Sequence, residues 1–368
     1  MSGPKCDPTA ILTAGISQGL HPGAQLYVMH QGKPLIDFVR GQARPGISMR
    51  SDSLVQWFSS GKPLTAICIA QLYERRELLL DDKVARYIPE FGANGKDAIS
   101  LWHLLTHTGG FRGADKLPHH IEWAEALRFI CAAPLEPGWV PGQKASYSTQ
   151  AAWFILVEII QRITKAPFPQ YIRAELLEPL GMNDSWLALP REKFDAYGER
   201  VAQMFDTFGG KQTVALLQDV TGMAICRPGS SARGPIRELA RFYQMLLNGG
   251  ELENRRYLKA ETVSLFTKRH REALYDDTFG HTLDYGLGFI INSNRYGAKT
   301  VPYGYGRYAS DDTFGHSGAQ SSCAFADPAH HLVVAWVANG LPGERAHQLR
   351  QRSINNAIYE HLGLRREK

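Results

Sequence analysis

The spacing of apolar positions changes four times along this 368-residue chain. Near the start, about 8–18 reads as a helix. The stretch AQLYVMHQGKPLIDFVRG (24–41) then holds two apolar runs joined by Gln31-Gly32-Lys33, a hairpin signal. From about 59 the spacing turns helical: in KPLTAICIAQLYERREL, apolar residues fall at 64, 67, 68 and 71. Helical or loop-rich sequence continues to about 270 and includes helices over 120–133, 149–165, 168–178 and 236–250, the last ended by a glycine pair. Short apolar runs bounded by turn residues return at 285–292, 313–318, 321–328 and 331–339, and a last helix covers about 345–362. Strands therefore lie at both chain ends with helices between them. The expectation is an α+β fold: one antiparallel sheet built from both chain ends and flanked by the terminal helices, with a mostly helical inserted domain. The expected division is 1–58 plus 280–368 for the sheet domain and 59–279 for the helical one, with a site in the cleft between them. The Gly- and Tyr-rich segment 294–312 reads as an exposed connection or as a flexible cover over a pocket.

Composition changes this picture little and excludes several classes. The chain is 44% hydrophobic and 21% charged, with a net charge of +5. Its basic residues are scattered, apart from a short run at the C-terminus, so a nucleic-acid partner is not expected. The apolar run AAWFILVEII (151–160) is broken by Glu158 and reads as a buried helix, so no membrane span is expected either. The first residues lack a basic start followed by an apolar run, which reads as no export leader. Five cysteines (Cys6, Cys68, Cys131, Cys226, Cys323) are odd in number and far apart, which argues against a disulfide framework. A cytoplasmic setting is the expectation, and the sequence leaves the oligomeric state open.

Candidate chemistry starts at QWFSSGKPLTAI (56–67). Residues three apart share a helix face and residues two apart do not, so Lys62 can meet Ser59 but not Ser60. Pro63 lacks an N–H and is tolerated only in a first turn, which places Ser59 at a helix N-terminus. There the helix dipole favours a hydroxyl that becomes an alkoxide. The pair alone also fits a simple N-cap at Ser59. A serine hydroxyl needs a base, and a free lysine is protonated at neutral pH. A polar group that shares the proton is therefore required. Tyr147, between a Pro/Gly-rich loop and an apolar helix, is the candidate, with a loop anchor as its plainer reading. A late strand carries His316-Ser317-Gly318, where the missing Cβ of Gly318 would let a substrate lie against the strand. The N–H groups of Ser59 and Ala319 would then form an oxyanion hole.

In their order and context these motifs resemble the serine β-lactamase and penicillin-binding-protein superfamily, whose Ser-x-x-Lys motif is well defined. FSSGKPLTA, ISLWHLLTHTGGF (99–111), PGQKASYST, ELARFYQMLLNGG (238–250), YGLGF and FGHSG carry the likeness. It covers nearly the whole chain and is strongest to the class C β-lactamase-like branch of esterases, D-amino-acid peptidases and acyltransferases. The resemblance implies Ser59 as nucleophile, Lys62 and Tyr147 as the proton-transfer pair, and His316, Ser317 and Gly318 lining the site. It implies no cofactor and a small-molecule ester or amide substrate.

Two departures matter. The Tyr motif of β-lactam-hydrolysing members ends in Asn, and here Thr149 stands there with one hydroxyl in place of an amide. The third motif often begins with Lys, a fixed cation; here His316 is mostly neutral at pH 7. Both weaken the case for a β-lactamase or a peptidoglycan peptidase. The expected activity is a serine hydrolase of esterase type on small or medium esters through an acyl-Ser59 intermediate. The alternatives are an acyltransferase or amide hydrolase on a specialised metabolite, and, behind these, a non-catalytic binding protein.

Other polar residues read as structural. His103 and His107 lack the Glu of a zinc-helix pattern, and the adjacent pairs His119-His120 and His330-His331 are poor chelates, so no metal is expected. Asp284 and Asp327 read as caps or turn formers. Trp57 and Tyr303 are candidates for the pocket wall, with aromatic core as the alternative.

Overall fold

The computed structural model describes residues 7–118 and 120–364. Cys6, His119 and the basic C-terminal run lie outside the described residues. The chain opens with helix α1 (Pro8–Ser17), whose N-terminus is capped by the Asp7 side chain accepting from the Thr9 N–H. Strands β1 (Gly23–His30), β2 (Lys33–Arg44) and β3 (Ile47–Ser48) follow. A long, mostly helical stretch intervenes. It includes α2 (Lys62–Glu74), α3 (Ala151–Thr164) and α4 (Ile236–Leu247). The sheet then resumes with β4 (Asp284–Tyr285), β5 (Ile290–Ile291), β6 (Phe314–Gly318), β7 (Ser322–Asp327) and β8 (Leu332–Ala338), and helix α5 (Glu344–Leu362) ends the fold. The order across the sheet is β4-β5-β6-β7-β8-β1-β2-β3, with antiparallel neighbours. Both chain ends build one sheet, as the pattern of strands implied. Among the described residues no helix is long and apolar enough to cross a membrane.

The continuous apolar run of β8 has a direct cause. Successive side chains of a strand point to opposite faces, so a strand covered on both sides is apolar throughout. Leu332, Val334, Trp336 and Ala338 share a core with Leu12 of α1 and with Ile354 and Ile358 of α5. Val333, Ala335 and Val337 belong to the other core, with α2 and α4. Helix α4, inside the segment assigned to the helical domain, packs back across β1, β7 and β8. It screens the sheet face that α2 also approaches.

Three expectations change. Segment 294–312 is neither an exposed connection nor a loose cover. Val301, Tyr305 and Ala309 are buried, Asn292 Nδ2 donates to the Ala309 and Ser310 carbonyls, and the Arg307 N–H donates to Asn356. Asp284 is no turn former: its buried carboxylate pairs with Arg269 and Arg295. Asp327 is likewise a buried acceptor, for the Tyr359 hydroxyl and for Ser310. Spacing alone could not show that distant cations and hydroxyls converge on these carboxylates.

The feature that positions the site is the contact between β6 and the turn before α2. A Cβ on Gly318 would come 2.1 Å from the Trp57 carbonyl oxygen and 2.3 Å from Ser322 Oγ. Ser322 Oγ itself donates to that carbonyl at 2.6 Å. Gly318 is therefore required for the strand to dock on the turn. This replaces the reading in which its missing Cβ admits substrate. Gly318→Ala is expected to cost about 1–3 kcal/mol by overpacking and to shift the turn that carries Ser59. Guanidinium denaturation checks this; an unchanged midpoint would show that strand and turn part at no cost.

Candidate active site

Ser59 lies in a single 3-10 turn, Phe58–Gly61, that runs directly into α2. Phe58 has φ of 50°, a left-handed conformation that costs a residue with a Cβ roughly 1–2 kcal/mol. The strain sits one residue before Ser59 and turns that side chain toward a large cavity. Lys62 opens α2 with Pro63 behind it, in the first turn where a missing N–H does no harm. The lysine is fully buried.

Lys62 Nζ lies 2.8 Å from Ser59 Oγ, 2.9 Å from the Thr149 carbonyl oxygen and 2.6 Å from the Gly229 carbonyl oxygen. All three partners are uncharged. Burial lowers the ammonium pKa from 10.5 to about 7, with the Asp115 carboxylate pulling weakly the other way. Gly229 brings its carbonyl this close because a Cβ there would meet the Thr149 oxygen at 2.2 Å. The Ser59 hydroxyl also has the Gly229 oxygen within 3.3 Å.

Tyr147 completes the group. Its phenol shares a hydrogen bond with Ser59, and the Lys62 amine stands 5.2 Å from the centre of its ring. Burial pushes the phenol pKa well above its ordinary value, while the Ser59 hydrogen bond works in the opposite direction. Ser59, Lys62 and Tyr147 thus converge, as the three motifs required.

Two carboxylates remote in sequence hold the Tyr147 loop. Asp276 Oδ1 accepts from the N–H groups of Tyr147, Thr278 and Phe279, and its other oxygen pairs with buried Arg271 at 3.1 Å. Asp115 Oδ1 accepts from Ser148 Oγ at 3.0 Å and from the Gln150 and Ala151 N–H groups at 2.8 Å each. It thereby caps the start of α3 from another part of the chain. The neutral His107 ring accepts the Ser148 N–H at Nδ1 and packs 4.7 Å from the Tyr147 ring. The structural reading of the histidines holds for it, and for His103, which closes a capping box with Ser100. Asp115, Asp276 and the Gly229 carbonyl carried no sequence signal: no motif surrounds them, and a backbone oxygen has no residue type.

The cavity holds about 1250 Å³. Ser59, Tyr147, Thr149, Tyr303, Ser317 and Ala319 all line it. Tyr303 is tied down at both ends, its hydroxyl donating to Glu344 at 2.8 Å and its N–H to Gln348 at 2.9 Å. Three other candidates lie behind the wall. Trp57 is fully buried, its indole N–H donating to the Gly234 carbonyl at 3.0 Å, so it is core. His316 is also buried, with a pKa lowered to about 3 by burial and by the nearby lysine. Its ring supports Tyr147 from 5.9 Å instead of facing substrate. Gly318 serves packing, as described above. Alternation along β6 explains the split: Ser317 faces the cavity, and His316 and Gly318 face away from it. Among the described residues no group of His, Cys, Asp and Glu is arranged to hold a metal.

Known proteins resemble this chain in sequence and in fold. Esterase/beta-lactamase LipL of Mycobacterium tuberculosis is 27% identical over 352 residues, covering 87% of this chain and 77% of that protein. A D-alanyl-D-alanine carboxypeptidase-like protein of Escherichia coli (strain K12) is 25% identical over 317 residues, 75% of this chain. The chain spans only 66% of the length of that relative. Among solved structures, a penicillin-binding protein homolog from Caulobacter crescentus superposes with a TM-score of 0.76 at 25% identity, covering 98% of this chain and 99% of that one. The Beta-lactamase family model matches residues 10–358, nearly the entire chain, and the chain belongs to that family.

Proposed function

We propose that the protein is a serine hydrolase that cleaves carboxylic esters through an acyl-Ser59 intermediate. The observation that carries this reading is the buried Lys62 amine 2.8 Å from Ser59 Oγ, with two carbonyl oxygens on its other side. A neutral amine in this position donates its two N–H bonds to those carbonyls and turns its lone pair toward the Ser59 hydroxyl. It is therefore oriented as a general base. A pKa of about 7 leaves a substantial neutral fraction at physiological pH. Tyr147, a phenol held protonated by burial, is suited to donate, not to abstract.

The steps balance as follows. Lys62 Nζ takes the Ser59 proton while Oγ attacks the ester carbonyl carbon. The Ser59 and Ala319 N–H groups stabilise the developing oxyanion. As the carbon–oxygen bond to the leaving group breaks, the Tyr147 phenol protonates the leaving alkoxide, and the Lys62 ammonium returns a proton to Tyr147. Water then attacks the acyl carbon, activated by the same pair, and Ser59 leaves with its proton restored. The mycobacterial relative, an esterase/beta-lactamase, supports an ester substrate by its esterase activity. Thr149 in place of Asn, and a buried neutral His316 in place of a lysine, argue against efficient β-lactam hydrolysis. Four unpaired cysteines among the described residues fit a reducing compartment, and we place the protein in the cytoplasm.

A second reading, acyl transfer, draws on the size of the cavity, which leaves room for an alcohol or amine beside a bound acyl group.

Three outcomes test these readings. With p-nitrophenyl acetate, intact-mass analysis should show an acyl adduct on wild type and none on Ser59→Ala, with nitrocefin turned over weakly or not at all. An adduct that persists in Ser59→Ala would move the nucleophile elsewhere. The acylation rate should climb about tenfold per pH unit below 7 and level off above it, following the neutral fraction of Lys62. A limb that keeps rising toward pH 10 would identify a phenolate base instead. For transfer, added alcohols or amines should speed breakdown of the acyl-enzyme and yield acylated acceptor; hydrolysis alone, at an unchanged rate, would exclude it.

A further inference from the structure

Large hydrophobic residues exposed on a surface are informative when they cluster beside a cavity. Nine are exposed among the described residues, and Phe208, Val214 and Leu216 fall within one short stretch. They are 67%, 52% and 67% exposed, and all three line the cavity that holds Ser59; none of the other six does. The stretch is not a loose loop. Strand Phe205–Asp206 pairs antiparallel with Thr213–Val214 and parallel with Gly340–Leu341. The Ala215 N–H donates to the Met204 carbonyl at 2.9 Å, and the Met204 N–H to Gln218 at 3.1 Å. One edge of the Phe208 ring lies against Gly343, where a Cβ would come within 2.7 Å of it. The backbone of this hairpin is thus fixed while its apolar side chains stand open along one rim of the cavity.

The interior continues the same surface. Phe58, Leu117, Phe279 and Ile290 also line the cavity, and the Phe279 ring lies 4.7 Å from that of Tyr147. At about 1250 Å³ the cavity exceeds the ~300–1,000 Å³ of ordinary small-molecule sites. A short acyl group on Ser59 would leave most of it filled with water against apolar walls.

We infer that this rim and the cavity behind it form a subsite for a long apolar chain of a single substrate molecule, so that the preferred esters carry a medium or long alkyl or aryl-alkyl group. The inference rests on the ester-hydrolase reading and extends it beyond small esters. Chain length adds affinity here because each methylene leaves water for an apolar wall that is already in place.

Ser59→Ala, which cannot be acylated at that position, separates this subsite from catalysis. Binding of p-nitrophenyl butyrate, hexanoate and octanoate to Ser59→Ala, followed by calorimetry below their critical micelle concentrations, should tighten by about fourfold per methylene. Adding Phe208→Ser and Leu216→Ser to that variant should weaken octanoate binding at least about tenfold and flatten the series, while Phe208→Leu with Leu216→Met should restore it. Dissociation constants that do not change with chain length, or that the serine substitutions leave unaltered, overturn the inference. So does binding that begins only once the ester aggregates, the mark of a rim that docks on a lipid surface. If wild type hydrolyses no ester while the chain-length series holds, the subsite stands and the catalytic reading falls.

Discussion

A primary amine buried among three uncharged acceptors is the constraint on which the rest of the site depends. In its cationic form Lys62 donates to Ser59, Thr149 and Gly229; in its neutral form it keeps the two carbonyls and accepts from Ser59. The same heavy-atom positions serve both states, so the proposed proton transfer between nitrogen and oxygen needs no side-chain rearrangement. Desolvation makes this exchange accessible, because it removes most of the preference of the amine for its charge. A carboxylate in direct contact would have restored that preference and held the ammonium as a structural ion pair. The burial of α2 from Lys62 through Leu72 is therefore a chemical requirement as well as a packing one.

The groups around the amine are held by charges placed one step back. Asp276 fixes the Tyr147 backbone and is neutralised by Arg271, which also donates to the Thr106 carbonyl at 3.0 Å. Asp115 fixes the next turn through three hydrogen bonds to one oxygen. Hydrogen bonds to an ionised acceptor are short and directional, so two carboxylates restrain the backbone at Tyr147, Gln150 and Ala151 and the side chain of Ser148. Neither touches Lys62. The Tyr147 loop gains rigidity, and the amine meets only the weak field of Asp115 at a distance.

Much of this was legible in the sequence, and the limits have physical causes. Short apolar runs bounded by turn residues at both ends and helical spacing between them sufficed for the antiparallel sheet, because burial on one or both faces leaves a local pattern. The Ser59–Lys62 pair was legible because helical spacing and Pro63 fix their relative position within one turn. Tyr147 and the third motif needed family order as well as residue type. What escaped were contacts between distant segments: the Gly229 carbonyl, Asp115 and Asp276, the ion pairs of Asp284, and the close approach that gives Gly318 its purpose. The resemblance implies His316 at the wall, and Trp57 is an aromatic candidate for it. They lie behind it because alternate residues of a strand, and neighbours on a tight turn, point in different directions.

The charge balance of the cavity bears on what it can accept. Its charged lining groups are Asp115, Asp206, Glu344 and Arg227, three carboxylates to one guanidinium. Where relatives of this superfamily often carry a lysine on the strand beside the nucleophile, this chain has His316, buried and neutral. A substrate carboxylate would meet no fixed cation at that strand and three carboxylates to one guanidinium along the rest of the lining. Its desolvation on entry would go uncompensated, a cost that rises as the cavity is made drier. An uncharged ester with an apolar chain carries no such cost, and it covers surfaces that would otherwise hold water. The loss of the cation and the apolar rim thus favour the same class of molecule from opposite directions, one by withholding attraction from anions and the other by offering it to hydrocarbon.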